Sequence, residues 1–240
     1  MNCPKCSATS ANDLTECPRC GVVFAKVAHR SKPGEASPAQ QQPPPRSSAV
    51  LDPTVRIAGY ARGALVLGLA VWTWQFARVP MGVAVANSVL HLPDLVFHEA
   101  GHVLLGIFGR FVGVLGGSLF QVALPLVLAA AFLRQRDSFG AAVCTWWAGQ
   151  NLLDVAPYIA DARALQLVLL GGRTGAEVEG HDWEYLLSEM GWLHLDRTLA
   201  LGAHRAGLVI MTGALLWAAL ASRQGRRLKS SPAARRASAP

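Results

Sequence analysis

Two histidines four positions apart, with a glutamate directly after the first, stand at His98-Glu99-Ala100-Gly101-His102. On a helix, residues i and i+4 project from one face, so both imidazoles can reach a single metal ion. Glu99 is then placed to take a proton from water at that ion, the division of labour used in metal-dependent peptide hydrolysis. The flanking residues are apolar, and a carboxylate and two imidazoles are costly to desolvate there unless something such as a metal compensates. Ionisable groups in such a segment are therefore read as functional.

A second group of metal-ligating residue types opens the chain. Cys3-Pro-Lys-Cys6 and Cys17-Pro-Arg-Cys20-Gly21 form two Cys-x-x-Cys pairs separated by ten residues. Two such knuckles can present four thiolates to one tetrahedral Zn²⁺, and a closed site of that kind has a structural role. A pair of redox-active dithiols is the competing reading, and two matched pairs fit metal better. The stretch resembles a bacterial zinc ribbon over about residues 1 to 27, a likeness that identifies a fold and no particular ligand. Cys144, alone in an apolar segment, reads as a small core residue.

The elements that must position the histidines are helices of membrane character. Over half of the chain is apolar, 52%, only 15% is charged, and the apolar residues concentrate after residue 56. Five apolar segments follow one another at roughly 57–78, 92–109, 113–133, 139–160 and 199–221, each near the roughly 20 residues that cross a bilayer. Between the ribbon and the first segment, residues 29 to 54 are rich in Pro and Gln and read as a disordered linker, with His29 part of it. Residues 223 to 240 carry Arg223, Arg226, Arg227 and Lys229 and read as a basic disordered tail. No cleavable signal peptide is expected from the first 20 residues, which hold four cysteines and no apolar run. The positive-inside rule puts the tail in the cytoplasm, and paired thiols put the ribbon in the same reducing compartment. Both ends inside require an even number of spans, so the short histidine-bearing segment is expected to be re-entrant or only partly inserted. The net charge of +7 is read as orientation and contact with anionic lipid, and nucleic acid is not an expected partner.

Two histidines leave a catalytic zinc one protein ligand short. Asp154 is the leading candidate, because Asn151, Asp154, Tyr158 and Asp161 recur at i, i+3, i+7 and i+10 and form one polar helix face. A carboxylate on that face needs a cation, whereas Asn151 and Tyr158 can be explained by interhelical hydrogen bonds or by contact with substrate. The competitor is His181 in Gly180-His181-Asp182-Trp183. Asp182 would either orient His181 or cap a helix starting at Trp183. His91, His194 and His204 show no partner spacing and read as interfacial or packing residues. Gly113, Gly116 and Gly117 permit close helix packing, or else an exposed strand edge for an extended substrate, with Gln121 adding a polar contact.

His-Glu-x-x-His in one apolar segment, with Asn-x-x-Asp-x-x-Pro two segments later, resembles the site-2 protease class of intramembrane zinc metalloproteases over roughly residues 92 to 160. The resemblance implies His98, His102 and Asp154 as ligands and Glu99 as general base. The chain departs from the family's Leu-Asp-Gly with Leu153-Asp154-Val155. The expected fold is an all-α polytopic membrane protein of about four to six membrane segments with a small N-terminal zinc ribbon. Residues 1–28 form the ribbon and 55–222 a membrane-embedded metallopeptidase-like domain. Two Zn²⁺ are expected, one catalytic and one structural. The partners would be the lipid bilayer and a membrane-protein substrate, and the location the bacterial inner membrane. A non-proteolytic adaptor with a structural metal site is the alternative. A metal transporter fits less well, since further acidic or histidine residues along several segments are missing.

Overall fold

The computed structural model describes residues 2–3, 5–9, 14–24, 53–82 and 88–230. The chain divides into two compact units, Met1–Val50 and Leu51–Pro240. His29, nearly all of the expected linker and the end of the expected tail lie outside the described residues.

The first unit is built by repetition. In each Cys-x-x-Cys knuckle the first cysteine's carbonyl accepts from the residue four further on, Ser7 for Cys3 and Gly21 for Cys17, both at 2.8 Å. Each first cysteine also donates its N–H one residue further along, Cys3 to the Ala8 carbonyl at 2.9 Å and Cys17 to that of Val22 at 3.0 Å. Ser7 and Gly21 occupy equivalent positions with φ of 56° and 67°. That left-handed turn suits glycine and costs serine a little.

The second unit is helical. Helix α1 (Pro53–Arg78) starts on a proline, whose fixed φ and missing N–H suit a first helical position. Helix α2 (His91–Leu105) runs into a 3-10 turn at Gly106–Phe108. Then come α3 (Arg110–Arg134), α4 (Ser138–Ala160), the short α5 (Asp182–Glu189) and α6 (Asp196–Ser230). All five expected apolar segments are helices. Gly113 to Ser118 are helical too, so the strand edge is not formed, and α6 continues to Ser230, past the expected start of a disordered tail.

Among the described residues three helical stretches are long and apolar enough to cross a membrane, Arg56–Arg78, Arg110–Arg134 and Leu193–Arg223. They leave large apolar side chains facing outward, among them Ile57, Leu67, Val127, Val209 and Leu216, each more than half exposed. Three is fewer than the expected four to six, and the difference lies in α2 and α4. At 15 residues, α2 is too short to span. The 23 residues of α4 are long enough, but Gln150, Asn151 and Asp154 dilute its hydropathy.

Helix α4 is the centre of the bundle. Its Trp146 and Leu153 join Leu69 and Phe76 of α1 and Met211 and Ala214 of α6 in one buried cluster. The Trp146 indole N–H donates to the Thr73 hydroxyl at 2.8 Å. Thr73 in turn donates to the Leu69 carbonyl at 2.8 Å, so no polar atom of this trio lacks a partner inside apolar surroundings. Helices α4 and α6 touch backbone to backbone at Gly149 and Gly207. A Cβ on Gly149 would stand 2.9 Å from the Gly207 carbonyl oxygen, the small-residue contact that lets membrane helices pack closely.

Gly207→Leu should therefore separate α4 from α6 and cost about 2 kcal/mol or more, the scale of overpacking in a tight core. Gly213, on the same helix, faces open space, and a Cβ there would meet nothing within 4 Å. Gly213→Ala should be neutral or stabilise by up to about 1 kcal/mol. Denaturation of the detergent-solubilised protein, followed by circular dichroism, compares the two.

Candidate metal centre

Helix α2 presents two faces. Leu92, Val96, Val103 and Leu104 point outward, each more than half exposed, whereas Asp94, His98 and Gly101 are buried. The buried side lies against α3 at a glycine crossing. A Cβ on Gly116 would stand 2.6 Å from the Gly101 carbonyl oxygen, and a Cβ on Gly117 would stand 2.5 Å from both His98 Nε2 and His102 Nε2. A glycine at 117 is thus a condition for the two imidazoles to sit where they do.

Both rings are held by their other nitrogen. His102 Nδ1 lies 2.9 Å from the Gly113 carbonyl oxygen. A carbonyl only accepts, so Nδ1 carries the proton. His98 Nδ1 faces Gln121 Oε1 at 2.6 Å. The two Nε2 atoms therefore present lone pairs, and they meet a carboxylate oxygen, Asp182 Oδ2, at 2.9 Å from His98 and 3.1 Å from His102. Among the described residues these three atoms form one of two groups able to hold a metal, all lying within 4.8 Å of one another.

Three acceptors pointed at one place repel one another unless a cation sits among them or a ring takes a second proton. The two separations from the carboxylate oxygen, 2.9 and 3.1 Å, are a few tenths of an ångström shorter than the roughly 3.3 Å edges of a tetrahedron with metal bonds of about 2.0 Å. Both Nδ1–H groups are anchored to oxygen acceptors, the arrangement that orients histidine ligands. The residues fit a divalent ion.

Asp182 is delivered by the segment after α4. His181 caps α5, its Nδ1 accepting from the Glu184 N–H at 3.1 Å, and Asp182 is the first helical residue. The Asp182 N–H donates to the Tyr158 hydroxyl at 2.9 Å. The next residue, Trp183, donates its indole N–H to the Ser118 hydroxyl at 3.1 Å. The Arg110 guanidinium lies over the Tyr185 ring, 4.4 Å from its centroid. In the cation-free state a ring takes the second proton: its bond to Asp182 raises His102 to about 9. Burial pushes the Asp182 carboxyl up, but the bonds from His102 and His98 in that state more than offset this and hold it below the usual carboxylate range. Burial pushes His181 down, which matches a neutral ring whose Nδ1 accepts a backbone proton.

Several expectations are corrected. Asp154 does not join His98 and His102. Its Oδ1 pairs with His91 Nδ1 at 2.8 Å and its Oδ2 accepts from Gln121 Nε2 at 3.2 Å. The polar face of α4 is real, but Asp154 on it reaches Gln121 and the start of α2, not the Nε2 side of the imidazoles. His181 is not the rival ligand either, because it turns toward Tyr158, with ring centroids 4.3 Å apart, and toward Asp161 Oδ2 at 3.4 Å. Asp182 is not the helix cap, a role His181 fills. His91, which showed no partner spacing in sequence, is the partner of Asp154. Asn151 makes interhelical contact with Gln121 at 3.1 Å. Glu99 is exposed, and its charge is felt at His102 and Tyr158. A cavity of about 600 Å³ opens on Asp182, bordered by Arg110, Val114, Glu177, Glu179, Glu184 and Tyr185 among others.

In the first unit Cys3, Cys6, Cys17 and Cys20 form the other group able to hold a metal. The Cys3 and Cys20 sulfurs are 3.6 Å apart and those of Cys6 and Cys17 3.8 Å. Metal–sulfur bonds of about 2.3 Å in a tetrahedron give edges of about 3.8 Å, far longer than a disulfide of about 2.05 Å. The four thiols fit one tetrahedral ion, as the spacing of the two pairs predicts, and the cluster is compatible with a zinc ribbon.

Gly117→Ala should weaken metal binding at the histidine site by tenfold or more, since its methyl group would displace both imidazoles. Asp182→Ala should lose that metal altogether. Replacing both Cys17 and Cys20 by serine should remove about one metal per chain and leave the histidine site loaded, as expected for one closed four-cysteine site. Metal content of the purified chain, by atomic emission, checks all three.

Comparison with protein-family models, with curated proteins and with solved structures finds no match to this chain, so the case for a function rests on the geometry around His98, His102 and Asp182.

Proposed function

We propose that this chain is a membrane-embedded zinc metalloprotease that hydrolyses peptide bonds of membrane or membrane-associated proteins. One observation carries the reading: two imidazoles and a carboxylate converge on one point, and the helix turn that supplies the imidazoles also carries Glu99, which has no hydrogen bond or ion pair of its own among the described residues. A structural site needs no such base.

In this reading His98, His102 and Asp182 would hold Zn²⁺, the three protein ligands that a catalytic rather than a closed structural site has. The ion would supply Lewis acidity, making water acidic near neutral pH and polarising a peptide carbonyl. Glu99 accepts the proton from the attacking water and passes it to the leaving amine. Tyr158 and Ser118 hold Asp182 and its neighbour Trp183 in place. The 600 Å³ cavity gives an extended segment of substrate a path to Asp182. The likeness of His-Glu-x-x-His in an apolar helix to the site-2 protease class supports the same chemistry, and Asp182 takes the part that the likeness gave to Asp154. The second metal, in the cysteine cluster, would be a structural Zn²⁺. The basic residues after Ser222 support a cytoplasmic C terminus, and the reducing chemistry of four free thiols supports the same side for the ribbon, in a bacterial inner membrane. Both ends on one side need an even number of crossings, so in this reading α4, at 23 residues long enough to span, is the fourth beside the three more apolar stretches.

Glu99→Gln should keep the metal and lower cleavage of a membrane-spanning reporter by about 10² to 10⁴, the usual worth of a general base. Asp182→Ala should lose both. Cleavage by the glutamine variant at the parent rate would remove Glu99 from the chemistry. A parent protein that binds its metal yet cleaves no transmembrane reporter would favour the adaptor reading.

A further inference from the structure

Asp154 is a buried carboxylate close to the metal centre that does not reach the metal ligands themselves. Its side chain is 7% exposed and engages His91 at 2.8 Å. Asn151 is fully buried and Gln121 is 2% exposed. No solvent replaces a lost partner in such surroundings, so each donor and acceptor is set by its neighbours.

The orientations can be followed group by group. Asn151 Nδ2 donates to the Trp147 carbonyl at 3.0 Å, so the atom that Asn151 turns toward α3 is its oxygen, Oδ1. Asp154 presents only acceptors. Gln121 Nε2 lies 3.1 Å from Asn151 Oδ1 and 3.2 Å from Asp154 Oδ2, which uses both of its hydrogens. A flipped amide would set its carbonyl oxygen against two acceptors at once. Gln121 Oε1 is thereby forced toward His98 Nδ1, 2.6 Å away, and Nδ1 must carry the ring proton. The lone pair is left on Nε2, beside Asp182.

We propose that Gln121, held by Asn151 and Asp154, is the positioning residue that fixes the tautomer of His98 and so makes its Nε2 available to metal, with Asp154 steadied in turn by His91. Asp154 then acts on the metal site through Gln121 rather than as a ligand. The relay joins three helices: α2 supplies His91 and His98, α3 Gln121, and α4 Asn151 and Asp154. His102 needs no such relay, because a backbone carbonyl holds it. The proposal rests on the reading of His98 as a ligand and not on peptide hydrolysis.

The test begins with the metal-free parent chain, labelled with ¹⁵N-histidine and followed by NMR at about pH 10.5, above both the ordinary imidazole value of about 6.5 and the value of about 9 to which the Asp182 carboxylate raises His102. Signals are assigned with His98→Asn and His102→Asn. His98 should be found as the Nδ1–H tautomer, and a predominant Nε2–H form would overturn the proposal. Gln121→Met, close in volume and without polar atoms, should give a mixture of His98 tautomers and bind Co²⁺ about 10 to 100 times more weakly, the range for loss of a ligand's hydrogen-bond partner. His102 should remain Nδ1–H in that variant, reporting an intact crossing of α2 and α3. If the His102 signal moved as well, the tautomer of the parent would decide. Asp154→Leu should weaken Co²⁺ less than Gln121→Met does, since Asn151 still holds one amide hydrogen. Complete loss of Co²⁺, as in His98→Ala, would return Asp154 to the ligand set and sink the relay. None of these readouts involves cleavage, so failure of the relay and failure of the protease reading are separate results.

Discussion

The close crossing of α2 and α3 is the constraint on which the rest of the membrane unit turns. Gly101 and Gly116 bring the two backbones into contact, and Gly117 leaves a space where any side chain would strike both imidazoles. The same closeness lets the Gly113 carbonyl take the His102 ring proton and lets Gln121, two turns further along α3, reach His98. With more distance between the helices, two imidazoles on α2 would need water to satisfy Nδ1. Contact instead makes α3 a template that dictates the chemistry of α2: which nitrogen bears the proton, and which lone pair is offered.

The large features of this arrangement were legible in the sequence, because hydropathy and short spacings are local. All five apolar segments are helices, His98 and His102 share the face that four-residue spacing dictates, and the two cysteine pairs converge. Glycine at 113, 116 and 117 correctly signalled close packing. What sequence could not supply was the path of the chain from Asp161 to Asp182. A polar stripe shows that Asp154 faces inward, yet it says nothing about which inward partner lies nearest, and His91, 63 positions away, was already there to neutralise it. Gly-His-Asp-Trp marks a rival ligand site in the sequence, but the residue of the four that meets the imidazoles is Asp182 and not His181. His181 and Asp182 are adjacent, and at a helix start adjacent side chains diverge. One turns back to cap the Glu184 N–H and meet the Tyr158 ring at a tilt, and the other turns toward the imidazoles.

The two candidate metal sites differ in the property that separates structure from chemistry. Four sulfurs at tetrahedral spacing leave no position for a fifth group. At the histidine site the count is three among the described residues, with a cavity beside the carboxylate and an unbonded glutamate on the same helix turn. Polar residues that keep a ligand in place are also concentrated there: Gln121, Tyr158, Ser118 and the Gly113 carbonyl each fix a ring or a backbone group of the site. Such support is what a metal that must hold its geometry while binding a substrate requires.

Metal binding at this candidate site would also be a folding reaction. His98 and Asp182 are 84 positions apart, and Asp182 stands on a short helix rather than on one of the long ones. Without a cation, a ring must take a second proton for α5 to stay against α2, where a hydroxyl from Tyr158, another from Ser118 and the ring contact of Arg110 with Tyr185 also hold it. With a cation, the same three groups become a cross-link that closes the long loop between α2 and α5, and the entropy of that closure opposes the ion's binding. The hydrogen bonds at Tyr158 and Ser118 lower the cost by holding Asp182 close before any ion arrives. The α5 helix is thus both ligand carrier and the wall of the cavity, so whatever enters that cavity meets the metal site at the one ligand not borne by a long helix.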